Sequence, residues 1–477
     1  MRKILLLGTA LLLFATTACR NLVEGFDKNP NVPTDISAAE ELMVTVLMND
    51  AFFHESQSAR LSGIWAGYFT GSDRQFTAYE VYNVVASEFD SNWDIAYRQV
   101  LKQAKVMRAK AEEEGKTGIV AVSKIIEAHI MGSVAALWGD APFSEAASDD
   151  FPTPKYDPQA SIYQGVIALL DEAIATLGDA SSAIPAAQDL FFAGDKSKWI
   201  AAANTLKARY YMHLKDYANA KSAALNGISS PAGDMMMPHG TTQDGNMNPY
   251  YEFVVNQRSG YMTAGTSTSG GYDYDGDNNP DAGSFVVWLM TERINNGIDD
   301  PERRDYYFDV SAGLASAELN TADDAAFAAD ASFPLVTYAE NQLILAEAEM
   351  RTGTRAQAIT YLNDYRANID AYVGGGTYAP LAPATDADAM KAIMEEKYIA
   401  MVGQIEGFND LRRWLNDNTV IGGSAVKDLA PNVPVKTPAA PTIPQRFLYP
   451  QVEVNTNPNV PEQSIDHLFT PTPVNAN

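Results

Sequence analysis

The sequence predicts a mainly α protein: stacked helical pairs that carry one irregular, loop-rich lobe. Three observations predict it. Most long segments repeat their apolar residues with a 3.6-residue period. Two of these segments continue across a tight turn into a second helical segment, with the same spacing of small and large residues in both pairs. One long stretch, 229–334, is rich in Gly, Asn, Asp and Tyr and breaks the helical rhythm. Hydrophobic residues make up 46% of the 477, enough to bury a substantial core and to exclude a mainly disordered chain.

The chain opens with Met1-Arg2-Lys3 and an apolar run over 4–15, too short to span a bilayer, which takes about 20 residues. Small residues follow, Thr16-Thr17-Ala18, and then Cys19, the one cysteine of the chain. This order resembles a bacterial lipobox, although Leu is commoner at the Thr16 position. It predicts a signal peptide over 1–18 and a lipid-bearing thiol at Cys19. No later apolar stretch reads as a membrane span, and the Pro/Asn-rich 21–33 reads as a spacer.

Helices are expected over 37–53 (capped by Ser37), 92–113, 119–138, 161–177, 198–214, 338–351, 354–369 and 386–402. The pairs are 201–227, turning at Lys215-Asp216, and 339–369, turning at Thr352-Gly353. In each, a small residue on the first helix (Ala208, Ala346) precedes an Ala twelve positions later on the second (Ala220, Ala358). Tyr211 and Leu362 fall on large positions of the tetratricopeptide pattern, and Pro231 lies near its closing proline. Such a unit needs stacked neighbours to bury its apolar face. The segments 119–138 and 161–177 read as a third pair opened by an insertion. Asp195 is placed to cap the helix at 198, and Trp199, Ala203, Leu206 and Tyr210 then share a stripe. Gly139 ends a helix and Pro142 stops it restarting. Arg412 and Arg413 read as structural partners of acids or carbonyls. The expected organisation is one domain over 19–477: a helical scaffold over about 37–228 and 335–416, an irregular ligand-side lobe over about 229–334, and a Pro/Asn-rich tail over 431–477.

The net charge of −26 makes the chain a poor general binder of nucleic acid. One cysteine excludes a disulfide scaffold. The five histidines, at 54, 129, 213, 239 and 467, show no zinc-peptidase spacing, and glycine-rich nucleotide loops and a GxSxG elbow are missing. No catalytic residue is singled out, because carboxylates are too abundant to be informative.

Sugars are held by aromatic faces and by planar hydrogen-bonding groups. Two clusters offer that chemistry in what read as non-helical settings. The first, over 65–82, contributes Trp65, Arg74, Phe76 and Tyr79 as ligand-binding candidates. The second, in the lobe, contributes Tyr250, Tyr261, Tyr272, Tyr274 and Trp288. Asp273, Asp275, Asp277 and Asp281 occupy positions 1, 3, 5 and 9 of an acidic loop. Hard cations want oxygens so arranged, and a structural calcium ion is one reading; a solvated surface loop is the other, since the glycine and glutamate of an EF-hand are misplaced.

Eight segments in order identify a family resemblance: the lipobox at Cys19, NWDIAYRQV at Asn92, LWGDAPFSEA at Leu137, FAGDKSKWIAAANTLKARYYMHL at Phe192, DDPERRDYYF at Asp299, FPLVTYAENQLILAEAEMR at Phe333, IMEEKYIAMVGQIEGFNDLRRW at Ile393 and IPQRFLYPQVEVNTNPNV at Ile443. Together they resemble the SusD/RagB-like nutrient-binding lipoproteins of Bacteroidetes-type bacteria. The resemblance implies a tetratricopeptide-like superhelix with an irregular lobe. It implies a non-enzymatic outer-membrane protein, lipid-anchored and facing the exterior, that captures a glycan (sometimes a peptide) for a SusC-like TonB-dependent transporter. Family ligand sites tend to lie between the first helix and the NW helix and in the mid-chain lobe. A surface glycosidase or peptidase, or a peptide- or protein-binding scaffold, are the rival readings.

Overall fold

The computed structural model describes residues 38–268 and 270–476; the leader, Cys19 and Ser37 fall outside the described residues. The first helix, α1, is Glu40–Glu55. Its start has no side-chain cap of its own: Glu114, from the far end of another helix, accepts the Ala39 N–H at 3.2 Å. Two short helices follow, α2 (Gln57–Trp65) and α3 (Gln75–Glu80). The expected helix at 92–113 is present as α4, and it is not uniform. Asp90–Asp94 runs through a π-helical segment, Ile95–Leu101, into Lys102–Glu113.

The scaffold helices come next: α5 (Thr117–Trp138), α6 (Gln159–Leu177), α7 (Lys196–His213) and α8 (Tyr217–Ala224). Asp195 caps α7, accepting the N–H groups of Ser197 (2.9 Å) and Lys198 (3.4 Å), so the helix begins two residues earlier than its apolar period suggests. Asp216 caps α8 in the same way, and Lys215 makes the turn at φ 59°. The lobe holds α9 (Phe285–Asn295) and α10 (Pro301–Tyr307). The second hairpin is α11 (Tyr338–Thr352) and α12 (Arg355–Arg366), capped by Thr337 and Thr354; α13 (Asp386–Ala400) and α14 (Ile405–Leu415) complete the scaffold, and α15 (Gln451–Thr456) lies in the tail.

Neighbouring helices pack in chain order: α4 on α5, α5 on α6, α6 on α7, α7 on α8, α8 on α11, and α11 on α12 and α13. The alanine pairs sit where the hairpins close. Ala208 and Ala220 are fully buried with Ile344 and Ala348, so the first hairpin stacks on the second. Ala346, Ala358 and Leu362 are buried within the second. The pair α5 and α6 packs together across its Pro/Asp insertion. Gly132 lets α5 approach α7: a Cβ there would lie 2.2 Å from the Tyr210 ring, whose hydroxyl donates to the Ala128 carbonyl at 2.9 Å.

Two expectations are corrected. First, α5 and α6 are both long and apolar enough to cross a membrane by length and composition. In α5, 89% of the apolar window is buried inside the protein, so its hydrophobicity is accounted for by the core. Second, the aromatic clusters are not in purely non-helical settings. Trp65 ends α2, Phe76 and Tyr79 lie on α3, and Trp288 lies on α9. These helices are too short, or too evenly apolar, to show a period. The Pro/Asn-rich tail is stitched into the core. Phe447 N–H donates to the Leu137 carbonyl (2.7 Å), Trp138 Nε1 donates to the Leu448 carbonyl (2.8 Å), and Ile443, Phe447, Leu448 and Tyr449 are buried.

Buried ion networks lock the lobe to the scaffold. Asp299 accepts from Arg293 (2.7 Å), Arg303 (3.1 Å) and Arg366 (3.0 Å), and all three arginines also reach Glu396 on α13. The DDPERR segment is therefore architectural. Arg413 binds Glu347 on α11 through two bonds (2.6 and 2.7 Å), while Arg412 donates to the Gln445 and Ala136 carbonyls.

Candidate ligand-binding cleft

Helix α1 turns Met43, Val46, Leu47, Ala51 and His54 into the protein. Phe52 is off that stripe and stays 44% exposed, beside Met48 at 46%. An exposed phenyl ring on a rigid helix is costly to leave in water and well suited to a flat apolar partner. On one side of it lies a cavity of about 940 Å³, between α1–α2, α4 and the loop 142–154. Trp93 and Tyr97 form its back, and Phe151, 46% exposed, faces them from the loop. Gln57 and Gln99 supply planar amides. The π-helical segment of α4 contributes Ile95, Tyr97, Arg98 and Gln99; π-turns of this kind recur at functional sites, because the extra residue per turn re-aims side chains. On the other side of Phe52 lies a hollow of about 440 Å³ against lobe residues 237–257, including Phe253, Glu252, Gln257 and His239. Phe52, Ser56 and Arg60 border both, so the two openings adjoin along α1, and together they are called the cleft.

The charges lining the cleft are mostly engaged. Arg98 holds Asp94 with two bonds (2.6 and 2.7 Å), and this keeps the Asp94 carboxyl below its usual range. Burial pushes the Glu55 carboxyl up, against the pull of His239, which sits 2.9 Å from it. The Arg60 guanidinium lies 4.3 Å from the Phe253 ring centre, and burial lowers its pKa to about 10. The arrangement offers ring faces, amides and one partly buried cation without a carboxylate partner, which is the chemistry of polar-ligand capture.

A second hollow, of about 540 Å³, opens between α9, α13 and residues 428–432. Tyr274 and half-buried Trp288 line it with Glu292, Asn296, Lys391 and Glu395. Of the ligand candidates named from sequence, these two border a sizeable opening. Trp65 is buried against Phe408 and Phe447, with Nε1 bonded to the Tyr79 carbonyl at 3.0 Å. Tyr250 is buried, its hydroxyl donating to the Gly403 carbonyl at 2.8 Å. Phe76 and Tyr79 are buried; Phe76 packs against Phe253 of the cleft wall, and partly buried Tyr261 meets Phe76 edge-on. Arg74 is exposed, beside Asp73. Tyr272 is half-buried, with Lys436 Nζ 3.9 Å from its ring centre. The residues that line the main cleft, Phe52, Gln57, Arg60, Tyr97 and Phe151, were not singled out. The signal for Phe52 was available: an aromatic residue out of step with the apolar stripe of its helix.

Asp273, Asp275 and Asp281 bring carboxylate oxygens within 4.8 Å of one another; Asp277 is not in this group and accepts the Asn279 N–H instead. Asp273 already accepts N–H groups of Gly276 and Asn278, and Asp281 that of Tyr274, so the loop holds its shape with its own amides. A calcium ion there would be held by Asp273, Asp275 and Asp281. Asp50, His54 and His129 also converge within 4.8 Å, fully enclosed in the core. Their two imidazoles stack in parallel at 3.8 Å, so the in-plane lone pairs run side by side and do not converge on a common ion.

Comparison with known proteins fits this geometry. A family model described as SusD-like_2, "Starch-binding associating with outer membrane", matches residues 30–450. The chain belongs to the SusD-like family. Its fold is shared with a SusD/RagB family protein of Bacteroides thetaiotaomicron (22% identity, TM-score 0.62, covering 89% of this chain and 95% of that one). It is shared with a chitin-binding SusD homolog from Flavobacterium johnsoniae (18%, 0.62, 88% and 93%) and with a SusD homolog of Bacteroides fragilis (16%, 0.65, 88% and 94%). No curated protein sequence matches the chain significantly. Within the segments that carry the SusD-like resemblance, Asp299, Arg303, Arg412 and Arg413 hold helices together and do not border the main cleft.

Proposed function

We propose that this SusD-like chain is a lipid-anchored protein of the outer-membrane surface. It captures an oligosaccharide in the cleft along α1 and passes it, unreacted, to a SusC-like TonB-dependent transporter. The observation that carries this reading is the opening in which Phe52 and Phe151 remain exposed beside the amides of Gln57 and Gln99. Ring faces stack on the C–H faces of sugars, and amides satisfy hydroxyls. Related proteins described as starch- or chitin-binding support a glycan over a peptide. Delivery without reaction is supported by the cleft's carboxylates. A glycoside hydrolase needs one raised acid free to protonate a leaving group. Here Glu55 has the raised carboxyl, and it is buried and bound by His239. The anchor would be Cys19, and a calcium ion at the Asp273 loop would brace the second hollow.

Three measurements test the reading. A glycan array with the purified protein should give binding without product release, and turnover abolished by Glu55→Gln would refute non-catalysis. Cys19→Ser should move the protein from the membrane fraction to the soluble one. Deleting an adjacent transporter gene should stop uptake while surface binding persists.

A further inference from the structure

Arg60 stands where the two halves of the cleft meet. The other basic side chains lining it are engaged: Arg98 by Asp94, Lys102 by Asp149 at 2.8 Å, and His239 by Glu55. Arg60 has no carboxylate within 4 Å and no hydrogen-bond acceptor for its guanidinium among the described residues, and its Nε is buried without a partner. Nearby acids do not answer it. Glu55 is held by His239, Asp94 by Arg98, Glu252 by Asn256, Glu453 by Tyr156 and Asn457, and Asp90 accepts the Val452 N–H; Asp244, exposed on the rim, makes no ion pair with it. A partly buried guanidinium with no counter-charge leaves its strongest hydrogen bonds to be completed from outside the protein. With Nε sealed and the guanidinium lying over the Phe253 ring, the terminal pair of Nη groups, which is not among the buried unpartnered atoms, is the end left to meet a ligand. That end matches a planar carboxylate through two parallel bonds.

On the reading that the cleft holds an oligosaccharide, we propose that the oligosaccharide is acidic, and that Arg60 binds the carboxylate of a uronic acid residue seated between Phe52 and Phe253. A neutral polymer would leave the charge unanswered. Arg60 thereby sets specificity, while the rings and amides supply general sugar affinity.

The test uses the full mature chain and calorimetry with a panel of uronate oligomers (galacturonate, glucuronate-bearing xylan, mannuronate), their methyl esters, neutral maltohexaose and chitohexaose, sulfated oligosaccharides, and an acidic peptide. At least one uronate oligomer should bind tenfold or more tighter than its methyl ester, with affinity falling as salt rises. Arg60→Gln should abolish that preference, and Arg60→Lys should restore only part of it, because an ammonium lacks the fork. Should Arg60→Gln fail to fold, the ester comparison on the unaltered protein still decides. Equal affinity for acid and ester, or binding of neutral oligomers alone, overturns the inference and leaves the glycan reading standing. Binding of sulfated sugars alone overturns the carboxylate assignment. Binding of the peptide and of no glycan overturns both.

Discussion

Replacing Phe52 by Ala isolates the contribution of the exposed ring that borders both halves of the cleft. Fully burying a phenylalanine side chain is worth about 1.5–3 kcal/mol. Phe52 is 44% exposed in the free protein, so a ligand can bury at most that share, worth about 0.7–1.3 kcal/mol. At 25 °C this is a loss of about three- to ninefold in affinity. The same exposure means that the truncation removes little from the core, so the thermal midpoint should stay close to the parent's. Calorimetry with whichever oligosaccharide the array identifies reads both quantities. Val420→Ala is the control: Val420 is 65% exposed on a hairpin outside the cleft and should bind as the parent does. An unchanged Kd for Phe52→Ala, or an equal loss in Val420→Ala, would refute the argument that the α1 cleft is where the ligand sits.

Two further outcomes follow from the scaffold. Gly132→Ala drives a methyl to 2.2 Å from the Tyr210 ring between two packed helices, and such overpacking costs about 1–3 kcal/mol; the urea midpoint should fall. Glu347→Gln leaves buried Arg413 and Arg351 short of a counter-charge, a loss of about 3–5 kcal/mol. Burial pushes Glu347 up, but Arg413 and Arg351 outweigh it and hold the carboxyl well below its usual 4.5; among neighbouring groups His213 does the same for buried Glu406. A folded-state pKa below the unfolded one means stability that is full above about pH 4.5 and is lost as pH falls through the folded value. Chemical denaturation from pH 7 to 3 should therefore show a steep acid loss, shallower in Glu347→Gln.

Helices with a long amphipathic face were legible, as α5, α6, α7, α11, α12 and α13 show, because the 3.6-residue period is a local consequence of burying one face. Their starts were partly legible. Asp195 and Thr354 cap as their side chains dictate, whereas α1 borrows its cap from Glu114, 75 residues away, which no local rule reveals. The short helices α3 and α9 were missed because they are packed on several sides and show no alternation.

What the sequence determined by itself is the helical-pair stack and its membership of a family, because both rest on local periodicity and on side chains, such as Asp299 and Arg413, that the stack obliges to pair. Only the tertiary structure decided where a ligand fits. Exposure is a property of the packed whole: Trp65 and Tyr250 look like sugar platforms in the chain and are sealed by residues far along it, such as Phe408 and Phe447 against Trp65 and Gly403 at Tyr250, while Phe52 and Arg60, from the same helical neighbourhood, border the cleft.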